Sequence, residues 1–523
     1  MNLNQMLDQT ASRVPEKAAL VWVEGKGGEE RSLSFETLRE RVLRAASAFR
    51  SRGVGKGDCV AIILRNGPDF IVAYFGLLRI GAIAVPINYM VQKPEELAYM
   101  LHHVEARAVV AQREFLKGIL KAKDEVPSLK LVLSSDGSRD PEGVEHFGEF
   151  VDTAAPIAAA VETSPDDTVT MLFTSGTTGN PKAVMLTHAN LVSNIDASID
   201  AFGLRETDVS LTLLPMFHTF AWTCCTLIPL RLGAKNVTIA AVAPPKPWLN
   251  LMARHRVTVF AAVPQIYSLL AKQATGFKKW VLRLWFFRTV RVAVSGAAPL
   301  GKKTLDDFKS AFGVGITEGY GLTETSPVAT FNPVGRPKVG SVGKPIRDVF
   351  VRIISDDGRE LPSGGEGEIE IKGPNIMKGY YKNEKATRDA VNAEGWFKSG
   401  DVGLIDEDGY LFIRDRKKDM IIVKGLKVFS AQVEKVLIEH PDIQEAAVIG
   451  IPDESGDERI KAFIVLAEGA EADTAELHKF CRKHLDAYKR PRDIEILNEL
   501  PKNALQKTLK RVLRQRELEK TGK

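Results

Sequence analysis

Four short runs early in the chain, Val60–Leu64, Ala82–Ile87, Ala108–Ala111 and Leu131–Leu133, are apolar at every position. A strand with one wet face alternates apolar and polar residues, so an unbroken run must be covered on both sides. Helical stretches such as Ser34–Arg50 and Asp69–Arg79 lie between the runs. This alternation predicts a parallel sheet with helices on both faces. The same grammar resumes with Asn236–Ala241, Val257–Val263 and Val290–Val294, which predicts a second α/β layer. From about Val339 it changes. Val349–Ile354, Glu366–Lys372 and Tyr410–Arg414 are short runs punctuated by Asp357-Gly358, Gly364-Gly365 and Asp408-Gly409. Those turns predict a small antiparallel, barrel-like unit.

A chain of 523 residues is too long for one core. The charge run Arg414–Asp419 reads as a linker, because enough chain follows it for a separate domain. That tail mixes helical stretches (Ser430–Glu439, Ala475–His484) with strands (Ala446–Ile451, Lys461–Val465). The expected fold is α/β: a large domain over 1–413 built of two α/β layers and the barrel-like unit, a hinge over 414–419, and a small mobile α+β domain over 420–523.

Between the two α/β layers lies Met171–Leu191, in which an apolar strand gives way to Thr174-Ser175-Gly176-Thr177-Thr178-Gly179-Asn180-Pro181-Lys182. Small residues let backbone N–H groups converge on an anion, hydroxyls add donors, and Lys182 adds a positive charge. That is the chemistry of a polyphosphate cradle. The spacing Gly176-x-x-Gly179-x-x-Lys182 lacks the Gly-Lys-Ser/Thr ending of a P-loop. A second stretch, Gly319-Tyr320-Gly321-Leu322-Thr323-Glu324-Thr325, offers close backbone approach, a flat ring, a hydroxyl and a hard oxygen ligand suited to Mg²⁺. A third, Ser399-Gly400-Asp401, puts a carboxylate just past a glycine turn, where it can accept two ribose hydroxyls. The fourth candidate is Lys507, in a basic tail segment that also reads as a solvated helix face.

The Gly-rich string, taken with the other three, resembles the signature motifs of the adenylate-forming superfamily: acyl-CoA synthetases, luciferases and peptide-synthetase adenylation domains. The resemblance runs from about Leu7 to Arg514 in the family's order. It implies that Thr174, Ser175, Gly176, Thr177, Thr178, Gly179 and Lys182 cradle the ATP phosphates. By the same resemblance, Tyr320 stacks on adenine beside Gly319, Gly321 and Ala297, Thr323 meets the α-phosphate, and Thr174 with Glu324 holds Mg²⁺. Asp401 and Arg416 match the family's ribose contacts, and Lys507 its adenylating lysine, although Gln506 stands where the family usually has glycine. Lys418 falls at the pivot of the hinge and Gly425 beside the tunnel for CoA. The implied reaction has two steps: a carboxylate attacks the α-phosphorus of ATP, and then a thiol attacks the acyl-adenylate.

For the acid itself, the acetyl-specific branch carries Trp where this chain has Gly321, which leaves room for a longer chain. Candidate walls such as Phe217, His218, Ala221, Trp222, Cys225 and Tyr267 are uncharged, as an apolar tail requires. His218, in Leu214-Pro215-Met216-Phe217-His218, resembles the pocket gate of the fatty-acid and aryl branches. Lys427 departs from an aromatic gate of one long-chain branch. The expectation is therefore a medium- or long-chain fatty acyl-CoA synthetase using ATP, Mg²⁺ and CoA. Its rivals are an aryl or branched-acid ligase, an adenylating enzyme loading a carrier protein, a phosphoryl-transfer enzyme and a non-catalytic nucleotide binder.

A formal charge of +5 is too mild for a nucleic-acid partner and slightly favours anionic ligands. Cys59, Cys224, Cys225 and Cys481 make neither a metal spacing nor a disulfide framework, which, with no export signal, predicts a cytoplasmic protein. Leu211–Leu230, the longest uncharged run, holds Pro215, His218 and Pro229 and reads as a buried helix rather than a membrane span. Lys278–Arg291 mixes basic and aromatic residues, so it faces a membrane surface or feeds the Val290–Val294 strand with a basic outer edge. A homodimer is carried over from the family by analogy only.

Overall fold

The structure is a computed structural model that describes residues 1–523 except 25–27, 92, 137–139, 175–180, 243, 297, 299, 424–425, 453–457, 503–507 and 521–523; the side chains of 277 and 278 are also undescribed. The chain divides into two compact units. The first holds Met1–Val339, Gly343–Phe350 and Lys372–Phe397, and the second Gly340–Val342, Val351–Ile371 and Lys398–Lys523.

In the first unit the early apolar runs become Cys59–Ile63, Ile83–Pro86, Ala108–Ala111 and Leu131–Ser134. They pair in parallel, with Cys59–Ile63 between Ile83–Pro86 and Ala108–Ala111. All five residues of Cys59–Ile63 are buried, which is why this strand shows no polar alternation. The second layer has the same logic: Val209–Thr212, Val259–Ala262, Val292–Ser295 and Ile316–Gly321 are mutually parallel. Trp248, Phe260, Tyr267, Phe287, Phe308 and Phe312 pack its core. Leu211–Leu230 opens inside a strand and then forms a π-helical turn, Ala221–Leu227, and a short helix, Ile228–Leu232, all buried in the part from Ala221 to Leu230.

Each sheet changes direction at one place that matters. Thr168–Thr174 runs parallel to Ile83–Pro86 but antiparallel to Lys182–Thr187. Ile316–Gly321 runs parallel to Val292–Ser295 but antiparallel to Val328–Phe331. The Gly-rich loop and the Gly319–Thr325 stretch therefore both leave the carboxyl end of the last parallel strand in their sheets. Open α/β sheets bind their ligands outside the carboxyl ends of such strands.

Phe350–Ile354, Gly367–Lys372, Phe397–Ile405 and Leu411–Arg416 form one four-stranded sheet, in that order, which but for the end residues Phe350, Lys372 and Phe397 belongs to the second unit. It is open, so the expected barrel does not close: its outer strands, Phe350–Ile354 and Leu411–Arg416, do not pair. Four short strands are too few to curl round on themselves. The tail supplies the hairpin Ile443–Pro452 with Glu458–Leu466, onto which Asp493–Ile496 adds in parallel. The helices Ser430–Ile438 and Thr474–His484 complete the α+β pattern. The charge run 414–419 lies within this unit, ending the strand Leu411–Arg416 and forming the 3₁₀ turn Lys417–Asp419.

Candidate active site

Thr174 and Lys182 face each other across the two strands that bracket the Gly-rich loop. Ser175, Gly176, Thr177, Thr178 and Gly179 lie outside the described residues, as do Ala297, Gly425 and Lys507. Thr187, at the far end of the second strand, caps the helix His188–Phe202 through a reciprocal exchange with Asn190. The Asn190 amide then donates to the carbonyls of Pro374 and Ile376, each at 2.8 Å. That fixes the entry of the two-residue strand Gly379–Tyr380, which pairs with Met185 and Val184.

The strand delivers a residue that sequence reasoning missed. Tyr380 donates its hydroxyl hydrogen to Glu324 Oε1 at 3.0 Å, and Lys182 Nζ lies 4.8 Å from the centroid of its ring. Burial and the Glu324 charge push the phenol well above its ordinary value, so it stays a donor. Tyr380 thus connects the loop's lysine to the carboxylate of the second motif, by a cation–π contact on its face and a charge-assisted hydrogen bond at its tip.

The turn Thr323–Thr325 that carries Glu324 is held by buried amides. Asn375 donates to the Thr325 carbonyl at 2.9 Å, and Asn194 donates to the Val328 carbonyl at 2.7 Å. Gly319, Tyr320, Gly321, Thr323 and Glu324 are all half-buried. A Cβ on Gly321 would sit 1.8 Å from the Pro327 carbonyl oxygen, and one on Gly319 would sit 2.8 Å from the Phe331 ring. Glycine at 321 is thus required by the backbone that folds back beneath it.

Glu318, just ahead of the motif, is a second missed group. Burial pushes its carboxyl up to about 7, against the pull of the Leu300 N–H, which donates to Oε1 at 3.3 Å. A carboxyl that holds its proton more tightly when folded stabilises the fold fully below its ordinary value. That contribution is lost as pH rises through about 7. Glu318→Gln should therefore lose less melting temperature than the native chain between about pH 5 and about pH 8, measured by thermal denaturation.

His218 is half-buried, and its Nδ1 accepts the Phe220 N–H at 3.3 Å, which puts the proton of the neutral ring on Nε2. The loop before it hangs on buried Asn66, which accepts from Met216 N and donates to the carbonyls of Leu214 and Ile239. Phe217 meets Tyr89 edge-on at 5.3 Å. Trp222 and Tyr267 serve the core rather than a wall. The first packs on Phe70 and Tyr74, and the second sits 2.9 Å from the carbonyls of both Phe260 and Val294.

In the second unit, Asp401 and Arg416 are register partners on adjacent strands, and Arg416 Nε lies 3.2 Å from Asp401 Oδ1. Asp401 is buried at 4% exposure, with Gly400 at φ +71° turning the chain into it. The two expected ribose contacts thus arrive together. Lys418 is exposed on the 3₁₀ turn, and Lys427 spends its charge on Asp356. The four cysteines are free and buried, and burial pushes the thiols of Cys59 and Cys225 up to about 12. No helix among the described residues is long and apolar enough to cross a membrane.

The donor set fits a magnesium nucleotide. A hydroxyl at Thr174 and a carboxylate at Glu324 are hard oxygen ligands, and Lys182 supplies phosphate-complementary charge beside them.

Comparison with known proteins agrees with this arrangement. Residues 7–381 match the model described as AMP-binding enzyme, and residues 432–507 match AMP-binding enzyme C-terminal domain. The chain is 32% identical to the long-chain-fatty-acid–CoA ligase of Bacillus subtilis (strain 168), covering 99% of this chain and 95% of that one. It is 34% identical to the crotonobetaine/carnitine–CoA ligase of Citrobacter koseri, covering 98% and 99%. Among solved structures, the anthranilate CoA ligase AuaEII in complex with anthranoyl-AMP superimposes with a TM-score of 0.91 at 28% identity, covering 100% of this chain and 98% of that one.

Proposed function

Since the chain belongs to the AMP-binding enzyme family, we propose that it is an acyl-CoA synthetase whose acid is a medium- or long-chain fatty acid. A carboxylate oxygen attacks the α-phosphorus of ATP, the bond to pyrophosphate breaks, and acyl-AMP forms. The thiol of CoA then attacks the acyl carbon, giving the thioester and AMP.

The observation that carries this reading is the junction of Lys182, Tyr380 and Glu324 at the end of the Gly-rich hairpin. Charge builds on phosphoryl oxygens in adenylation, so catalysis is mostly positioned countercharge. Lys182 and the loop would bind the phosphates, Tyr320 the adenine, and Asp401 with Arg416 the ribose. Thr174 and Glu324 would hold Mg²⁺, which when bound neutralises charge on the departing pyrophosphate. Thr323 would donate to the α-phosphate and Lys507 would bridge it to the carboxylate. His218 would border the acid, and Gly425 the arriving thiol. The run 414–419 would serve as the hinge between the two steps, with Lys418 at its pivot.

The fatty-acid reading is supported by the uncharged side chains of the candidate walls Phe217, Ala221, Cys225 and Val263 and by the name of the Bacillus relative. An aryl or branched acid is the second reading, favoured by the likeness to the anthranilate ligase. The test is AMP release from ATP and Mg²⁺ across acids from acetate to palmitate plus benzoate and carnitine, with and without CoA. CoA-dependent turnover peaking on a medium or long fatty acid is expected. A peak on benzoate would replace the fatty-acid reading. Pyrophosphate exchange without CoA turnover would move the acceptor to a carrier protein.

A further inference from the structure

From Val209 to Leu305 the chain carries no Asp or Glu and thirteen Lys or Arg. Some of this charge is neutralised by acids elsewhere: Arg231 pairs with Asp196, Arg254 with Glu30 and Arg291 with Asp208. Lys279, Arg283 and Arg288 have no ion-pair partner among the described residues. Lys279 lies on the helix Gly276–Val281, Arg283 on the π-helical turn Leu282–Phe287 that continues it, and Arg288 directly after its end.

The inner side of this segment is firmly seated. Phe287 is 1% exposed and meets Phe260, Phe308 and Phe312 with ring centroids 5.7, 5.6 and 4.4 Å away. Leu282 and Phe286 pack against the same core. The outer side is apolar as well. Trp280 is 60% exposed, Leu284 42% and Trp285 69%. In a π turn, residues four and five apart stand above one another, so these three share one side. Two exposed tryptophans and a leucine, flanked by arginines and a lysine, match what a headgroup layer accepts: amphipathic rings at the interface and cations against lipid phosphates.

We propose that the Trp280–Arg288 turn is a docking surface for an anionic lipid bilayer, seating the protein peripherally with both indoles in the headgroup zone. Contact with a second copy of the chain fits less well. An isologous interface through this patch would set Arg283 and Arg288 against their own symmetry mates with no acid in the segment to answer them.

The experiment is co-sedimentation of the full chain with vesicles of phosphatidylcholine mixed with phosphatidylglycerol, alongside vesicles of phosphatidylcholine alone. Tryptophan emission is followed in parallel. Binding to the anionic vesicles, a blue shift on binding, and weakening with salt are expected. Trp280→Ala with Trp285→Ala should reduce partitioning by about tenfold or more. Arg283→Gln with Arg288→Gln should remove the preference for anionic lipid. AMP release on a short soluble acid should stay unchanged in both variants, since none of these residues belongs to the proposed catalytic machinery; this also certifies folding. Equal partitioning of native and variant chains would overturn the proposal, as would no vesicle binding. A native dimer that the tryptophan variant converts to monomer, without vesicle binding, would also overturn it and assign the patch to self-association.

Discussion

Lys507→Ala should cut ATP–pyrophosphate exchange by about 10²–10³-fold, the usual cost of losing a group that meets charge only in the transition state. Release of thioester from pre-made acyl-adenylate and CoA should stay within about threefold of native, because the bond made and broken there is at the acyl carbon and the carboxylate no longer has to be brought to the α-phosphorus. Lys507 itself lies outside the described residues, but the neck of its loop is well held. Lys502 and Thr508 form an antiparallel bridge, Leu509 N donates to the Pro501 carbonyl at 2.7 Å, and Leu500 is buried in the tail's core. Beyond the neck, Lys510 reaches Glu434 and Ser430, each at 2.7 Å. Equal loss in both half-reactions would remove the role assigned to Lys507.

Glu324→Gln should lower adenylation by about 10²-fold and raise the magnesium concentration needed for half-maximal rate, since an amide is a poor ligand for a hard dication. Tyr380→Phe removes a hydrogen bond to the carboxylate, a loss of about 1.5 kcal/mol or about tenfold, while the ring beneath Lys182 stays. In the double variant the tyrosine change should cost almost nothing further, because its partner is already gone. The check is a double-mutant cycle on pyrophosphate exchange at varied Mg²⁺. An unchanged magnesium dependence in Glu324→Gln would dissociate this carboxylate from the metal.

Much of the architecture was legible because its strands are buried on both faces. Ala108–Ala111 has the same bounds in the sequence reading and in the structure, and the other parallel strands that were read differ at their ends by one to three residues. The antiparallel sheet was legible as three runs with turns, without Phe397–Ile405, and nothing in a run says whether its edge meets another edge. Tyr380 escaped because its strand is two residues long, too short to show a period, and its partners are 56 residues away at Glu324 and far upstream at Lys182. Asn66, Asn194 and Asn375 escaped for a related reason. A buried amide that pins a distant carbonyl leaves no local pattern. Gly321 was legible as a glycine but not as to why, since the carbonyl that excludes a side chain belongs to Pro327.

The bond from Tyr380 to Glu324 Oε1 also bears on which ion Glu324 would prefer in its proposed role as a metal ligand. If Glu324 ligates a cation, ligation through both oxygens would have to compete with the phenol for Oε1. Calcium is a large ion that often takes carboxylates through both oxygens, whereas magnesium keeps a tight octahedron of single-oxygen ligands and several waters. A tyrosine that never touches the ion would thus tilt the site toward the smaller one, and a buried phenol becomes an element of ionic discrimination.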